Sequence, residues 1–138
     1  MLVRHAMTKN VFKISLPASL AEVSSIMLKK RISSLPIVEN DKPVGIITTT
    51  DILKLFSDLN KTKFLNPEVD IKEIMSSPVT TVSQNDQLRE AIDLMGDKGF
   101  HHLLVVDDSG ELIGILSSLD IARAYGKDET EDEMLVDY

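Results

Sequence analysis

The feature that most constrains this chain is an internal repeat. Shifting the sequence by 68 positions lays Met7, Val11, Ser15, Leu20, Glu22, Met27, Lys30, Leu35 and Val38 on Met75, Val79, Ser83, Leu88, Glu90, Met95, Lys98, Leu103 and Val106. One residue is added in the turn DDSGE. At a shift of 69, Gly45, Ile46, Asp51 and Ile52 then meet Gly114, Ile115, Asp120 and Ile121. A fold built on this pattern contains one supersecondary unit twice.

Each copy reads β-α-β-β-α. VFKIS and VTTVS are short β-branched runs, hence strands. SLAEVSSIMLKKRI places Leu20, Val23, Ile26, Met27 and Lys30 at helical spacing, with Ser19 as N-cap and Glu22 closing a capping box. QLREAIDLMGDKG repeats this and ends at Gly99. LPIVEN and LLVVDD are continuous apolar strands, expected to be buried on both faces. NDKP and DDSGE are turns, VGIIT and IGILS the next strands, DILKLFSDL and DIARAY the closing helices. Met27, Met75 and Met95 are read as packing residues. One such unit buries too little apolar surface to stand alone. The expectation is an α+β fold in which two β-α-β-β-α units pack sheet to sheet. The units are read as 1–58 and 70–126, joined by a loop at 59–69, with Asp70 to Met75 a short helical lead and 127–138 an acidic tail in which Asp128 to Glu133 are expected to be solvated and mobile.

The net charge is -7, and Lys127 to Tyr138 holds six carboxylates and one Lys. Such a chain is a poor non-specific partner for nucleic acid, which needs Lys and Arg against its phosphates. No apolar run approaches membrane-spanning length, and the first residues lack the apolar core of a signal peptide, so a cytoplasmic protein is expected. There is no Cys, which excludes disulfides, thiol nucleophiles and Cys-based zinc sites. G-x-S-x-G, H-E-x-x-H and P-loop patterns are absent, and no enzyme is expected. His101 and His102 are adjacent on a strand and point to opposite faces, so they do not serve one metal ion, and none is expected.

The repeated phrases GIITTTDI and GILSSLDI end a strand and start a helix. Gly45 permits close backbone approach. Thr48 or Thr50 is placed to cap, and Asp51 sits in the first turn, where the helix dipole favours a carboxylate. One reading is a good helix start and nothing more. The other uses the same geometry to bind a nucleoside phosphate. The helix N–H groups and the hydroxyl of Thr48 or Ser117 meet phosphate, and the carboxylate of Asp51 or Asp120 accepts both hydroxyls of a ribose.

Both halves resemble the CBS motif, which occurs in tandem pairs called Bateman modules. The resemblance runs over about Met7 to Leu55 and Ile74 to Tyr125. It rests on MTKNVFKI and MSSPVTTV, on SLPIVEN and HLLVVDD, and on the two G-x-x-[TS]-x-x-D phrases. It implies a pseudo-two-fold pair of motifs whose clefts bind AMP, ADP, ATP, S-adenosylmethionine or sometimes NAD. Two such pairs join as a homodimer, and a partner or fused domain responds, here a possible regulated protein. By position, Asp51 and Asp120 would hold riboses, and Thr48 and Ser117 would touch phosphate or ribose. Asn10 and Val11, or Pro78 and Val79, would line one side of an adenine. Ser33, Ser34 and Pro36, or His101, His102 and Leu103, would line another. His102 falls where some members have a basic phosphate contact, while its repeat mate is Ser34. The first site has only Lys9, Lys13 and Arg31 nearby in sequence. The rival to ligand sensing is a dimerising scaffold whose clefts are vestigial.

Overall fold

The computed structural model describes residues 1–137, with side chains as far as Lys127, so the side chains of the acidic tail lie outside the described residues. In chain order the elements are α1 (Val3–Ala6), β1 (Thr8–Lys9), β2 (Ile14–Ser15), α2 (Leu20–Lys30), β3 (Ser34–Glu39), β4 (Lys42–Thr48), α3 (Thr49–Ser57), β5 (Thr81–Ser83), α4 (Leu88–Lys98), β6 (His102–Val106), β7 (Leu112–Ser117) and α5 (Ser118–Asp137). Two 3-10 helices, Leu59–Phe64 and Ile71–Glu73, lie between α3 and β5. The stretch read as a plain loop therefore carries a 3-10 turn, started by the Asp58 side chain accepting the Asn60 N–H. The four-residue helix α1 was not anticipated.

The chain forms two compact units, Phe12–Val79 and Met1–Val11 with Thr80–Tyr138. In the first, β2 runs parallel to β3, and β3 pairs antiparallel with β4. In the second, β5, β6 and β7 repeat this, and β1 adds antiparallel to β7. The equivalent of β1 in the first unit is a single bridge from Ser76 to Ile46. Each unit thus combines the body of one repeat with the short segment that leads into the other.

The cores show why these lead-in segments dock. In the first unit Val23, Met27, Leu35, Ile37 and Ile47 are buried around Ile71. In the second, Ala91, Met95, Leu103, Val105 and Leu116 are buried around Val3. Val3 and Ile71 are repeat mates. Both are fully buried, a gain of roughly 1.5–3 kcal/mol each from apolar transfer. Matched backbone bonds hold them: Val3 N–H to Asp86 C=O at 2.9 Å, and Ile71 N–H to Ala18 C=O at 2.8 Å.

The local chemistry follows the repeat. Ser19 caps α2, its hydroxyl accepting the Glu22 N–H and Glu22 reaching back to the Ser19 N–H. Both α2 and α4 end in a left-handed residue, Gly99 (φ 68°) for α4 and its mate Arg31 (φ 54°) for α2. The glycine adopts that conformation freely, whereas a side chain there costs about 1–2 kcal/mol. From Leu35 to Val38, β3 is buried without interruption, as a strand covered on both faces must be.

Candidate functional site

Each unit carries one strand-to-helix corner, built by the repeated phrase. In the first unit β4 ends on Thr48, which is the N-cap of α3. Of the two capping candidates it is therefore Thr48, not Thr50, that acts. The Thr48 hydroxyl accepts the Asp51 N–H at 3.2 Å. Asp51 Oδ2 accepts the Thr48 N–H at 2.9 Å and the Thr48 O–H at 3.0 Å. Asp51 Oδ1 accepts the Ser76 O–H at 3.2 Å. In the second unit Ser117 Oγ accepts the Asp120 N–H at 3.1 Å, and Asp120 Oδ2 accepts the Ser117 N–H at 2.9 Å. Asp120 Oδ1 accepts the Thr8 O–H at 3.0 Å.

Thr8 and Ser76 are repeat mates, and both were missed as site residues. Each leads into one repeat and bonds the carboxylate of the other. The same crossing sets two close approaches. A Cβ at Gly114 would meet Met7 Sδ at 2.9 Å and the Thr8 carbonyl oxygen at 3.0 Å, and one at Gly45 would meet the Met75 side chain. At Gly114 the obstacle includes backbone, whereas at Gly45 it is only the flexible end of a methionine. The signal was present in MTKN and MSSP, but nothing in a sequence says which repeat a lead-in segment will join.

Ser33 and Ser34 stand beside the first corner: the Ser33 carbonyl accepts the Thr49 N–H at 3.0 Å, and Ser34 pairs with Thr48 across the strands. His101 and His102 take these places in the second unit, with the His101 carbonyl accepting the Ser118 N–H at 3.0 Å and His102 paired with Ser117. His101 is exposed and His102 half-buried. Burial holds the His102 pKa below its ordinary 6.5; the His101 charge adds to this, and Asp120 opposes it. The imidazole is therefore neutral at pH 7 and ready to take up a proton if an anion arrives.

Other predicted residues are placed differently. Leu103 has its side chain in the core of its unit, as its mate Leu35 does, so only its backbone is free to line anything. Pro36 is buried on the opposite face of β3, and its mate is Leu104, not Leu103. Asn10 (φ 55°) and Val11 belong to the same unit as Asp120, and Pro78 and Val79 to the same unit as Asp51. Among the described residues no three His, Asp or Glu side chains gather as metal ligands. No helix among them is long and apolar enough to cross a membrane.

The family model of the CBS domain matches residues 3–58 and again 71–127. A CBS domain pair of protein MJ0100, solved in complex with 5'-methylthioadenosine and S-adenosyl-L-methionine, superposes with a TM-score of 0.80. It is 32% identical in sequence, over 93% of this chain and 98% of that one. The uncharacterized protein MK0525 of Methanopyrus kandleri is 42% identical over 104 residues, 74% of this chain and 51% of that protein. Inosine-5'-monophosphate dehydrogenase of Methanocaldococcus jannaschii is 35% identical over 116 residues, 83% of this chain and 22% of the enzyme. The chain thus spans about half of the first of these relatives and about a fifth of the second.

Proposed function

Since the chain belongs to the CBS-domain family, matched over both repeats, we propose that it is a regulatory module that binds an adenosine-containing ligand and has no catalysis of its own. AMP, ADP, ATP and S-adenosylmethionine are the ligands in view. The observation that carries the reading is the doubled clamp of hydroxyl, helix start and carboxylate. It recurs in both units with matching bonds at Asp51 and Asp120. A carboxylate has about four lone-pair positions. Asp120 accepts two hydrogen bonds and Asp51 three, which leaves room for about two ribose hydroxyls at Asp120 and about one at Asp51. Support comes from the MJ0100 pair, similar over nearly its whole length and solved with two adenosine compounds. In this reading Thr48 and Ser117 face ribose or phosphate. The backbone around Asn10, Val11, Pro78, Val79, Ser33 and His101 flanks adenine, and His102 adds a phosphate contact that Ser34 lacks.

The module works as a homodimer in the cytoplasm, and a partner or fused domain responds to it. Leu53 and Phe56 on α3 are 65% and 67% exposed, and Leu119 and Tyr125 on α5 are 56% and 44% exposed, so both helices carry apolar side chains to be covered. A dimerising scaffold with unused corners is the second reading. It is favoured by one fact: each carboxylate already serves its own helix cap.

Thermal melts with AMP, ATP, S-adenosylmethionine and 5'-methylthioadenosine separate the two. A ligand at ~100 times its Kd adds about 2.7 kcal/mol to the native state, a shift of several degrees. A dimer that shifts with none of them is the scaffold, and turnover of any of these compounds by the purified chain overturns the non-catalytic reading.

A further inference from the structure

The two corners share a clamp but differ in the acceptor positions left open on it. At the first, Asp51 Oδ2 accepts both the N–H of Thr48 at 2.9 Å and its O–H at 3.0 Å, which occupies both lone pairs of that oxygen. Asp51 Oδ1 accepts the Ser76 O–H at 3.2 Å and keeps one position. At the second, Asp120 Oδ2 accepts the Ser117 N–H at 2.9 Å, and Oδ1 accepts the Thr8 O–H at 3.0 Å. Each oxygen of Asp120 therefore keeps one position, and the carboxylate is left as a two-pronged acceptor. One bond makes the difference. Thr48 and Ser117 both accept the N–H of their aspartate, but only the Thr48 O–H donates back among the described residues. The branched Cβ of threonine restricts its rotamers, and the one taken here aims the hydroxyl at Asp51 Oδ2. Serine lacks that constraint.

We propose that the two corners read the sugar with different stringency. The Asp120 corner requires an intact 2',3'-diol, the Asp51 corner accepts an adenine nucleoside that lacks either one of the two hydroxyls, and Thr48 sets the difference. This rests on the adenosine reading above and deepens it. A cis-diol presents two O–H donors side by side, and a carboxylate with one open position on each oxygen takes both. Asp51, with one open position in all, is served by either hydroxyl alone. Burial acts in the same direction. Asp120 is 8% exposed, so a missing hydroxyl there leaves charge that water scarcely reaches. Asp51 is half-buried, and water takes the place of a missing donor. The ligand class of the second corner is thus ribosyl adenine compounds, and that of the first is ribosyl and deoxyribosyl adenine compounds alike.

Nucleosides test this without a phosphate, so His102 does not enter. The wild-type chain is titrated calorimetrically with adenosine, 2'-deoxyadenosine, 3'-deoxyadenosine and 2',3'-dideoxyadenosine. A lost hydrogen bond to a charged group weakens binding by about tenfold or more. Either monodeoxy compound should therefore weaken one site by about tenfold or more and the other by less than about threefold, while the dideoxy compound weakens both. Equal weakening of the two sites by the monodeoxy compounds overturns the proposal, and this wild-type measurement needs no variant to fold. Asp51→Ala and Asp120→Ala then assign the sites. The tolerant site should vanish with Asp51→Ala, and its loss with Asp120→Ala instead overturns the assignment. Thr48→Ser should make the first corner as strict as the second, and unchanged tolerance removes Thr48 as the determinant. Adenosine keeps the two readings apart. If adenosine itself does not bind, the adenosine reading falls and this inference with it. If adenosine binds and the monodeoxy losses are equal, the difference in stringency falls alone.

Discussion

At the first corner Asp51 is half-buried and its carboxylate accepts three hydrogen bonds, one of them from the exposed Ser76 hydroxyl. At the second, Asp120 is 8% exposed and accepts two, beside a half-buried imidazole in place of a serine. The clamp is the same and its surroundings are not. A repeat fixes which atoms meet, and burial fixes how much each meeting is worth, because a hydrogen bond to a desolvated charge is stronger and costlier to lose than one that water can replace. The two corners are therefore an internal control on one another.

The largest separation is expected from removing the carboxylates. Asp120→Ala deletes a cap and strands the Ser117 N–H and Thr8 O–H in partly buried surroundings, a loss of about 2–4 kcal/mol in urea unfolding. Asp51→Ala strands an equally part-buried Thr48 N–H, but its lead-in partner, the Ser76 O–H, is exposed to water, so the loss is smaller, at about 1–2 kcal/mol. Each variant also weakens adenosine binding at its own corner, by about 1.5–3 kcal/mol. Equal losses of stability would show that burial does not distinguish the corners. Normal binding by both variants would leave the carboxylates as helix caps only.

The glycines come next. Gly114→Ala pushes a methyl toward both Met7 and the backbone carbonyl of Thr8, whereas Gly45→Ala meets only the side chain of Met75. Overpacking of this kind costs typically ~1–3 kcal/mol. Adding Met75→Ala should relieve much of the Gly45→Ala loss, since the obstacle is then gone. Adding Met7→Ala should relieve little of the Gly114→Ala loss, because Thr8 O remains. A double-mutant cycle on each pair measures this, and equal relief in the two cycles would refute the distinction.

These pairs also mark where the sequence is legible and where it is not. The Ser19–Glu22 box, the Thr48 cap and the stop at Gly99 each lie within a few residues, and local chemistry is enough to read them. The β-α-β-β-α order comes from periodicity, which is also local. The crossing of the lead-in segments is not. Thr8 and Asp120 are 112 residues apart, and a segment that serves two identical repeats carries no mark of which one it joins. Burial of Val3 and Ile71 decides the crossing, and that is a property of the folded pair of surfaces. The burial of the Leu103 side chain is of the same kind: it lies in the core of its unit as Leu35 does in the other, which leaves its backbone to line a cleft.

A smaller effect is expected from the lead-in hydroxyls. Thr8→Val removes a part-buried O–H donor while keeping the shape, at about 1 kcal/mol. Ser76→Ala removes an exposed one, at about 0.5 kcal/mol. Thr8→Ser should restore most of the first loss. If Thr8→Val is as stable as wild type while Thr8→Ser is not, it is the methyl group, not the hydroxyl, that matters there.

The smallest effect tests the one chemical difference between the corners. Burial and the neighbouring His101 hold the His102 pKa below 6.5, with Asp120 acting the other way. A histidine whose folded pKa is depressed takes up protons more readily when unfolded. Its contribution to stability is present above the unfolded value, near ~6.5, and is lost as the pH falls from there toward the folded value. His102→Gln should therefore melt with a shallower pH dependence than wild type between pH 7.5 and 5.5, and the first unit, with Ser34 in that place, should contribute nothing to the difference. A bound phosphate reverses the sign, since an anion near the imidazole stabilises its charged form and raises its pKa. AMP should then bind more tightly at pH 6 than at pH 8, adenosine should not respond, and His102→Gln should remove the response. His101 is the control: it is exposed, and His101→Gln should leave the AMP response in place. If calorimetry finds that AMP and adenosine respond alike to pH, or that His101→Gln and His102→Gln behave alike, then His102 does not read the phosphate, and the two corners differ only in depth.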